Sequence, residues 1–185
     1  MAMDPHELDA LLDAVLVGGR ERRPIVIVPY DPGWEERFAE ERERIRRALG
    51  ATARRIEHVG STSVPGLAAK PIVDVLVTVD DTDDEPRFLP ALERAGYVLR
   101  VREPGHRMLR TPELDVNVHV WADADREVER YLSFRDRLRM SSDDRQAYEQ
   151  LKRELATHEW PDVNHYANAK GPFVRRVLAR GRAPS

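Results

Sequence analysis

The residues best suited to chemistry lie in one stretch, residues 58–77, with the sequence HVGSTSVPGLAAKPIVDVLV. It contains a loop of small residues, Gly60, Ser61, Thr62 and Ser63. An apolar run follows, and one carboxylate, Asp74, interrupts it. A backbone rich in glycine and serine presents N–H groups to a phosphate, and a carboxylate on the next strand binds the divalent cation that neutralises that phosphate. The layout predicts a nucleotide site.

The same residues also have a purely structural interpretation. Ser61, Thr62 or Ser63 could cap a short helix at a tight strand-to-helix turn. Asp74 could be satisfied by backbone donors or by Lys70. Burying a carboxylate only for structure is costly, however, so the pattern favours a ligand role for Asp74.

Four further segments accompany this stretch: IVIVPYDPGWEERF at residues 25–38, VNVHVW at 116–121, FRDRLR at 134–139, and a helix that carries Tyr166 and Lys170. Together they resemble the GrpB family, over roughly residues 25–180. That family is placed by similarity within the polymerase-β-like nucleotidyltransferase superfamily. The resemblance implies a nucleotidyltransferase-like fold and a site for a nucleotide with Mg²⁺.

One position departs from the pattern of that superfamily. Members that transfer nucleotides usually carry two carboxylates on this strand, separated by one apolar residue. Here the three positions are Asp74, Val75 and Leu76. Because strand side chains alternate faces, Leu76 occupies the place from which the second metal ligand would project. The second ligand comes from another strand, or the site binds one metal, or catalysis has been lost.

The candidates for a second ligand lie in the alternating segment at residues 115–121. Asp115, Asn117 and His119 share one face of the predicted strand. Since the superfamily often has a third carboxylate on such a strand, the resemblance implies Asp115 as a metal ligand beside Asp74, although Asp115 could instead end the preceding turn. His119 could be a ligand or a general base, or a hydrogen-bonded structural residue.

Basic residues on the predicted C-terminal helices are candidate phosphate partners. Arg135 and Arg139 are four residues apart, as are Tyr166 and Lys170, so each pair shares a helix face. Arginine binds phosphate oxygens in a bidentate manner, whereas lysine offers a point charge. The resemblance distinguishes these four from the other basic positions. Lys70 has a stronger claim because it lies between the loop and Asp74.

Length and composition limit the class of protein. A chain of 185 residues fits one domain with a sizeable core. The formal charge of −3 does not predict bulk nucleic-acid binding, and the absence of cysteine excludes disulfides and thiolate metal sites. The N-terminus lacks the features of a signal peptide or a membrane span, so we expect a cytoplasmic protein.

Apolar spacing predicts the elements that position these residues. Residues 1–24 form an amphipathic helix, at 5–17, and a linker; the helix packs on the domain or mediates oligomerisation. Residues 25–182 form one domain. Strands are predicted at 25–28, 56–59, 72–79, 97–101, 107–110 and 115–121, and helices at 34–49, 86–95, 126–140, 143–157 and 163–180. The expected fold is α/β (α+β), nucleotidyltransferase-like, with a mixed twisted sheet, flanking helices and a helical C-terminal part.

Two functions fit these observations. In the first, a nucleotidyltransferase-like enzyme holds phosphates on the loop at residues 60–63, metal on Asp74 and the 115–119 strand, and uses His119 and Lys70 in catalysis. In the second, a non-catalytic domain binds a nucleotide or phosphorylated metabolite at a degenerate site. The number of carboxylates that converge around Asp74 discriminates between them. Both require Asp74 and His119 on neighbouring strands, facing one cleft closed by the loop.

Overall fold

A five-stranded mixed sheet forms the centre of the structure, a computed structural model that describes residues 3–180. The strands lie in the order β1-β2-β5-β4-β3. Their bounds are β1 Arg55–Val59, β2 Val73–Val79, β3 Val98–Glu103, β4 His106–Arg110 and β5 Val116–Ala122. The pair of β2 and β5 is parallel, and the other three pairs are antiparallel. The mixed sheet with its helices confirms the predicted α/β fold.

Seven α-helices surround this sheet within the described part of the chain. They are α1 Pro5–Val15, α2 Gly33–Leu49, α3 Leu89–Arg94, α4 Arg126–Met140, α5 Ser142–Ala156, α6 Val163–Ala169 and α7 Gly171–Arg180. Side-chain oxygens of Asp125, Ser141 and Asp162 accept backbone N–H groups at the starts of α4, α5 and α6. These caps fix where each C-terminal helix begins. None of the helices within residues 3–180 has the length and apolarity that a membrane span requires.

The two faces of the sheet differ in chemistry because side chains alternate along each strand. One face is apolar and packs against α2 and α3. Its core includes Val73, Val75, Val77, Val116, Val118 and Val120, with Ile45, Leu49 and Leu92 from the helices. The opposite face carries the polar residues of β2 and β5 and is partly covered by the C-terminal helices. The apolar face holds the sheet rigid beneath the polar one.

Register between β2 and β5 decides which polar groups meet. Asp74 lies opposite Asn117, and Leu76 lies opposite His119. Leu76 is fully buried in a small cluster with Val59 and Val128. On the face of β2 that carries Asp74, position 74 is therefore polar, and the next position on that face, Leu76, is apolar.

A second apolar cluster joins the C-terminal helices to the segment that follows the small-residue loop. Val64 and Leu67 of that segment pack with Leu138, Tyr148, Phe173 and Val177 of α4, α5 and α7. All six side chains are buried. The helices are thus fixed over the polar face of the sheet at the loop end.

The N-terminal segment packs on its own chain. Leu8 and Leu12 of α1 are buried, and Leu16 pairs with Val101 in an isolated bridge. The guanidinium of Arg100 then donates to the carbonyl oxygens of Val17 and Gly19. These hydrogen bonds hold residues 17–19 against β3, and the chain then crosses the open end of the polar face of the sheet.

Four predicted elements differ in the structure. The helix predicted at 86–95 is a short 3-10 turn, Glu85–Arg87, followed by α3, which begins at Leu89 and ends at Arg94. The predicted strand at residues 25–28 is wrong: only Val28 pairs, in an isolated bridge to Ala69, because the flanking prolines at 24 and 29 lack N–H donors. The helix predicted at 5–17 ends at Val15. The helix predicted at 163–180 is two helices, since Pro172 has no N–H to continue the first one. The last two residues of the predicted domain, 181 and 182, lie outside the described residues.

We expect Leu76→Asp to lower the free energy of unfolding by about 3–5 kcal/mol, since it places an unpaired carboxylate in the apolar cluster around Leu76. Urea denaturation at neutral pH measures the loss. The matched control is Leu76→Met, which conserves volume and is expected to cost less than about 1.5 kcal/mol. Equal stability of Leu76→Asp and wild type would mean that position 76 opens toward the polar cavity.

Candidate functional site

A cavity of about 500 Å³ lies between the polar face of the sheet, the C-terminal helices and the N-terminal segment. Cavities of this size suit small-molecule ligands. Its lining includes Gly60, Ser61, Lys70, Asp74, Asn117, His119, Tyr131, Tyr148, Lys152, Tyr166 and Lys170. The structure therefore brings together most of the residues that the sequence singled out.

Asp74 lies at the centre of the polar wall. Its Oδ1 accepts a hydrogen bond from Asn117 Nδ2 at 3.0 Å and lies 3.6 Å from His119 Nε2. Burial by itself raises the pKa of Asp74, but the His119 ring, the Asn117 amide and the Lys70 charge together hold that pKa below its ordinary value. Asp74 is thus an ionised carboxylate inside a cavity.

Gly60 approaches Asp74 so closely that no other residue fits there. A Cβ atom at position 60 would lie 2.3 Å from Asp74 Oδ2, and Gly60 has a φ of +71°. Both the contact and the left-handed backbone require glycine. The loop and the carboxylate consequently form one rigid unit.

Thr62 and Ser63 build the loop and, unlike Gly60 and Ser61, do not line the cavity. The Thr62 hydroxyl donates to the Ile72 carbonyl at 3.1 Å and lies 3.1 Å from His58 Nε2. The Ser63 hydroxyl donates to the Gly60 carbonyl at 2.6 Å. The hydroxyls of Thr62 and Ser63 thus close the turn, and contact of these two residues with a phosphate stays a prediction.

Arg135 and Arg139 also have structural partners. Arg139 donates twice to the Ser63 carbonyl, at 3.0 and 2.7 Å. Arg135 donates to Glu57 at 2.9 Å and to the His58 carbonyl at 3.1 Å. Neither side chain lines the cavity. In the structure they hold β1 and the loop against α4. Their role as phosphate ligands stays a prediction that this placement does not favour.

Asp115 does not reach Asp74. Its Oδ1 accepts from the Thr111 hydroxyl at 2.7 Å, and its Oδ2 lies 3.2 Å from Arg37 Nη2. It precedes β5 and lies outside the cavity lining. The structure does not bring Asp115 together with Asp74, because Asn117 is the residue opposite Asp74; a metal-ligand role for either carboxylate stays a prediction.

Three ammonium groups face the cavity. Lys70 Nζ and Lys170 Nζ lie 5.3 and 4.7 Å from the centre of the Tyr166 ring. Lys152 Nζ donates to the Ala68 carbonyl and lies 4.9 Å from the Tyr148 ring. Within residues 3–180, the Nζ atoms of Lys70 and Lys170 form no hydrogen bond and no ion pair; their contacts are those with the Tyr166 ring.

Lys152 was missed by sequence reasoning, although composition contains a signal for it. Only three of the 30 basic residues are lysines, so 27 are arginines. All three lysines line this one cavity. Lysine concentrated in one place in an arginine-rich chain indicates selection for a compact cation whose pKa can shift.

Burial and mutual repulsion alter the acidity of these lysines. Burial, followed by the neighbouring Lys170 charge, lowers the pKa of Lys70 to about 8. The same two causes lower the pKa of Lys152 to about 7. Burial also lowers the pKa of Lys170, against the attraction of Asp74. An anion in the cavity would oppose all three shifts.

The other carboxylates of the cavity are already paired with arginines. Glu21 binds Arg110 with both oxygens, at 2.8 and 2.5 Å. Glu127 accepts from Arg130 at 3.0 Å. Among the acidic side chains that line the cavity, Asp74 alone has no arginine partner.

His119 belongs to a hydrogen-bonded chain that sequence reasoning did not find. Its Nδ1 lies 3.2 Å from His106 Nε2, and His106 Nδ1 lies 2.6 Å from Glu103 Oε1. The His106 ring also stacks on Trp121, with 4.2 Å between ring centres. Neither Glu103 nor His106 showed a motif, because they lie on opposite sides of a strand turn.

One other cluster could offer three ligand atoms to a metal. Among the described residues it consists of Asp9, Asp162 and His165. Arg20 already binds Asp9 at 2.5 Å, and Asp162 caps α6. The contacts in this cluster join α1 to α6.

Comparisons with known proteins show the family and the fold of this chain. The family model described as GrpB protein matches residues 24–180. A UPF0157 protein from Halalkalibacterium halodurans is 47% identical over 182 residues, which cover 95% of this chain and 92% of that protein. The crystal structure of the conserved protein GrpB from Enterococcus faecalis superposes with a TM-score of 0.74 at 32% identity, covering 84% of this chain and 96% of that one.

More distant similarities concern parts of larger proteins. A dephospho-CoA kinase from Mycolicibacterium paratuberculosis is 28% identical over 188 residues, which cover 86% of this chain and 46% of the kinase. The Cid1 poly(U) polymerase with MgGTP superposes with a TM-score of 0.50 at 13% identity, over 71% of this chain and 44% of the polymerase. The second similarity shows a nucleotidyltransferase-like fold.

We expect Gly60→Ala to destabilise the protein more than Gly66→Ala does. Both glycines have positive φ, +71° and +77°, so both variants carry the left-handed strain of about 1–2 kcal/mol. Only position 60 adds a clash with Asp74, since nothing lies within 4 Å of a Cβ at Gly66. Urea denaturation compares the two losses, and the side-chain amide resonances of Asn117 report whether Asp74 has moved. Equal losses would show that the loop does not depend on Asp74.

Proposed function

The chain belongs to the GrpB family, and we propose that it binds the phosphate groups of a nucleotide or phosphorylated metabolite in the cavity beside Asp74. The observation that carries the proposal is the pair of ammonium groups on Tyr166. Lys70 and Lys170 both line the cavity, and neither ammonium group has an anionic partner within 4 Å among residues 3–180. Two like charges in one cavity favour an anionic ligand.

Charge balance supports the proposal. Buried cations cost free energy unless an anion accompanies them. The carboxylate that attracts both Lys70 and Lys170 is Asp74, and Asp74 already accepts a hydrogen bond from Asn117. A phosphate group carries more than one negative charge and several acceptor oxygens, so it matches two ammonium groups better than a side-chain carboxylate does.

A two-metal transferase fits these residues poorly. Mg²⁺ prefers oxygen ligands in near-octahedral geometry, and a two-ion site needs carboxylates that bridge the ions. Among the acidic side chains that line the cavity, Asp74 is the single one without an arginine partner, Leu76 is buried, and an amide and an imidazole flank Asp74. The geometry therefore favours the binding protein with a degenerate site over the two-metal enzyme.

Nucleotidyl transfer with one carboxylate remains the second candidate. Two observations favour it. Asp74, on β2, lies against Gly60 of the small-residue loop, and the fold is similar to that of a polymerase crystallised with MgGTP. In this reaction an acceptor hydroxyl attacks the α-phosphorus, the bond to the β-phosphate oxygen breaks, and pyrophosphate leaves. His119 would take the hydroxyl proton. Incubation with nucleoside triphosphates, followed by assay of pyrophosphate, tests for it.

We expect Lys70→Gln and Lys170→Gln each to weaken pyrophosphate binding about 10-fold or more, because each removes a charged hydrogen-bond donor from the cavity. Isothermal titration calorimetry in the presence of EDTA measures the affinity. The control is Arg54→Gln, which removes the same charge from the Arg54–Asp80 surface pair outside this cavity. Unchanged affinity in both lysine variants would exclude the proposed anion site.

Affinity for ATP without metal is expected to fall as pH rises from 7 to 9. Lys70, with a pKa of about 8, is a cation below that pH and a neutral amine above it. The phosphates of ATP are already ionised across this range, so the change belongs to the protein. Calorimetry at several pH values measures the slope, which Lys70→Gln should flatten. A constant wild-type affinity would contradict the assignment.

A further inference from the structure

The segment of residues 16–23, here called the N-terminal strap, contributes Leu16, Glu21 and Arg23 to the lining of the cavity. It lies before residues 24–180, the part of the chain that the GrpB family model matches. We propose that Arg23 is a further ligand-binding residue of the cavity and contacts a second anionic group of the ligand, which therefore carries at least two phosphate groups. The inference rests on the proposed function and adds to it a residue from outside the family resemblance.

The strap is fixed on both sides of the cavity. Residues 17–19 are hydrogen-bonded to β3. The carboxylate of Glu21 binds Arg110 of β4 at 2.8 and 2.5 Å, and the Glu21 carbonyl accepts from the Val163 N–H at the start of α6, at 3.3 Å. Arg23 follows two residues later, so its backbone is placed before a ligand arrives. A binding residue placed in this way does not have to be ordered at the cost of affinity.

The guanidinium of Arg23 has too little negative charge beside it. Its Nε is buried and, among residues 3–180, donates no hydrogen bond; its ion pair is with Glu21 Oε2, at 3.4 Å. Both oxygens of Glu21 already accept from Arg110, and Arg100 Nη2 lies 3.7 Å from Glu21 Oε1. Three arginines thus share one carboxylate. A buried donor without an acceptor is costly, and an anionic group of the ligand would satisfy it.

Arg23 also acts on the lysines of the cavity. Burial is the main cause that lowers the pKa of Lys70, and the charges of Lys170 and, more weakly, of Arg23 lower it further. The guanidinium and the two ammonium groups therefore repel one another within one cavity. A ligand with negative charge at both places removes this repulsion.

The lining of the cavity carries more positive charge than one phosphate group offsets. It contains seven basic and three acidic side chains, a formal net charge of +4, in a chain whose formal net charge is −3. One phosphate group carries about −1.5 to −2 at neutral pH, so roughly two such groups are needed for balance. Arginine suits the second group because its planar guanidinium binds two phosphate oxygens at once.

Calorimetric titration of orthophosphate and of pyrophosphate into the full chain, with EDTA present, separates one anionic contact from two. We expect wild type to bind pyrophosphate more tightly. Arg23→Gln should weaken pyrophosphate binding about 10-fold and change orthophosphate binding, which depends on Lys70 and Lys170, by less than about 2-fold. Arg23→Lys keeps the charge without the planar fork and should lie between. An equal loss for both anions, or no loss for either, would overturn the assignment.

The matched control is Arg22→Gln, which removes the same charge from the neighbouring position. Arg22 pairs with Glu159 at the surface, its side chain is 68% exposed, and it does not line the cavity. Both affinities should be unchanged in this variant. A loss of pyrophosphate binding equal to that of Arg23→Gln would mean that overall charge sets the affinity, and it would contradict a specific contact by Arg23.

Nitrogen-15 NMR of the arginine Nε–H groups tests the contact in the wild-type protein, with Arg23→Lys used to assign the Arg23 resonance. Pyrophosphate should shift this resonance more than orthophosphate does. A resonance that stays in place while pyrophosphate binds would refute the role of Arg23 and leave the anion site on Lys70 and Lys170 intact. Absence of pyrophosphate binding by wild type would refute both, so the two failures are distinguishable.

Discussion

The parallel register of β2 and β5 is the constraint on which the rest of the site depends. It places Asp74 opposite Asn117 and Leu76 opposite His119, and it turns the valines of both strands to the other face. Because the side-chain period is two, a slip of one residue would bury the carboxylate in the apolar core. The valine core therefore fixes the polar face by making any other register costly.

Arginines and lysines have different roles in this protein. Arginines form the ion pairs and carbonyl contacts that hold loop, strands and helices, as Arg135 and Arg139 do at the loop. All three lysines line the cavity, and within the described part of the chain the ammonium groups of Lys70 and Lys170 have no ion pair. The division follows from chemistry: a guanidinium makes several directed bonds, whereas an ammonium is a compact charge that changes its pKa readily.

The shared fold and the altered donor set lead to different conclusions about chemistry. The similarity to a polymerase is one of fold at 13% sequence identity, and it covers less than half of that protein. The side chains around Asp74 are an amide and an imidazole. The next residue on the same face of β2, Leu76, is an apolar side chain in a closed cluster. Because function depends on the site and not on the fold, these donors carry more weight than the architecture.

The sequence by itself determined the fold class, nearly all the strands and helices, and the association of Asp74, His119, Lys70 and the Gly60–Ser61 loop. These follow from local periodicity and from a contiguous motif, which need no knowledge of distant contacts. Only the tertiary structure decided which side chains open into the cavity. Arg139 binds a carbonyl 76 residues away, Lys152 reaches a carbonyl 84 residues away, and Asp115 turns to Arg37. Such partners are chosen when separate elements pack together, and a side chain already bonded in that packing is no longer available to a ligand.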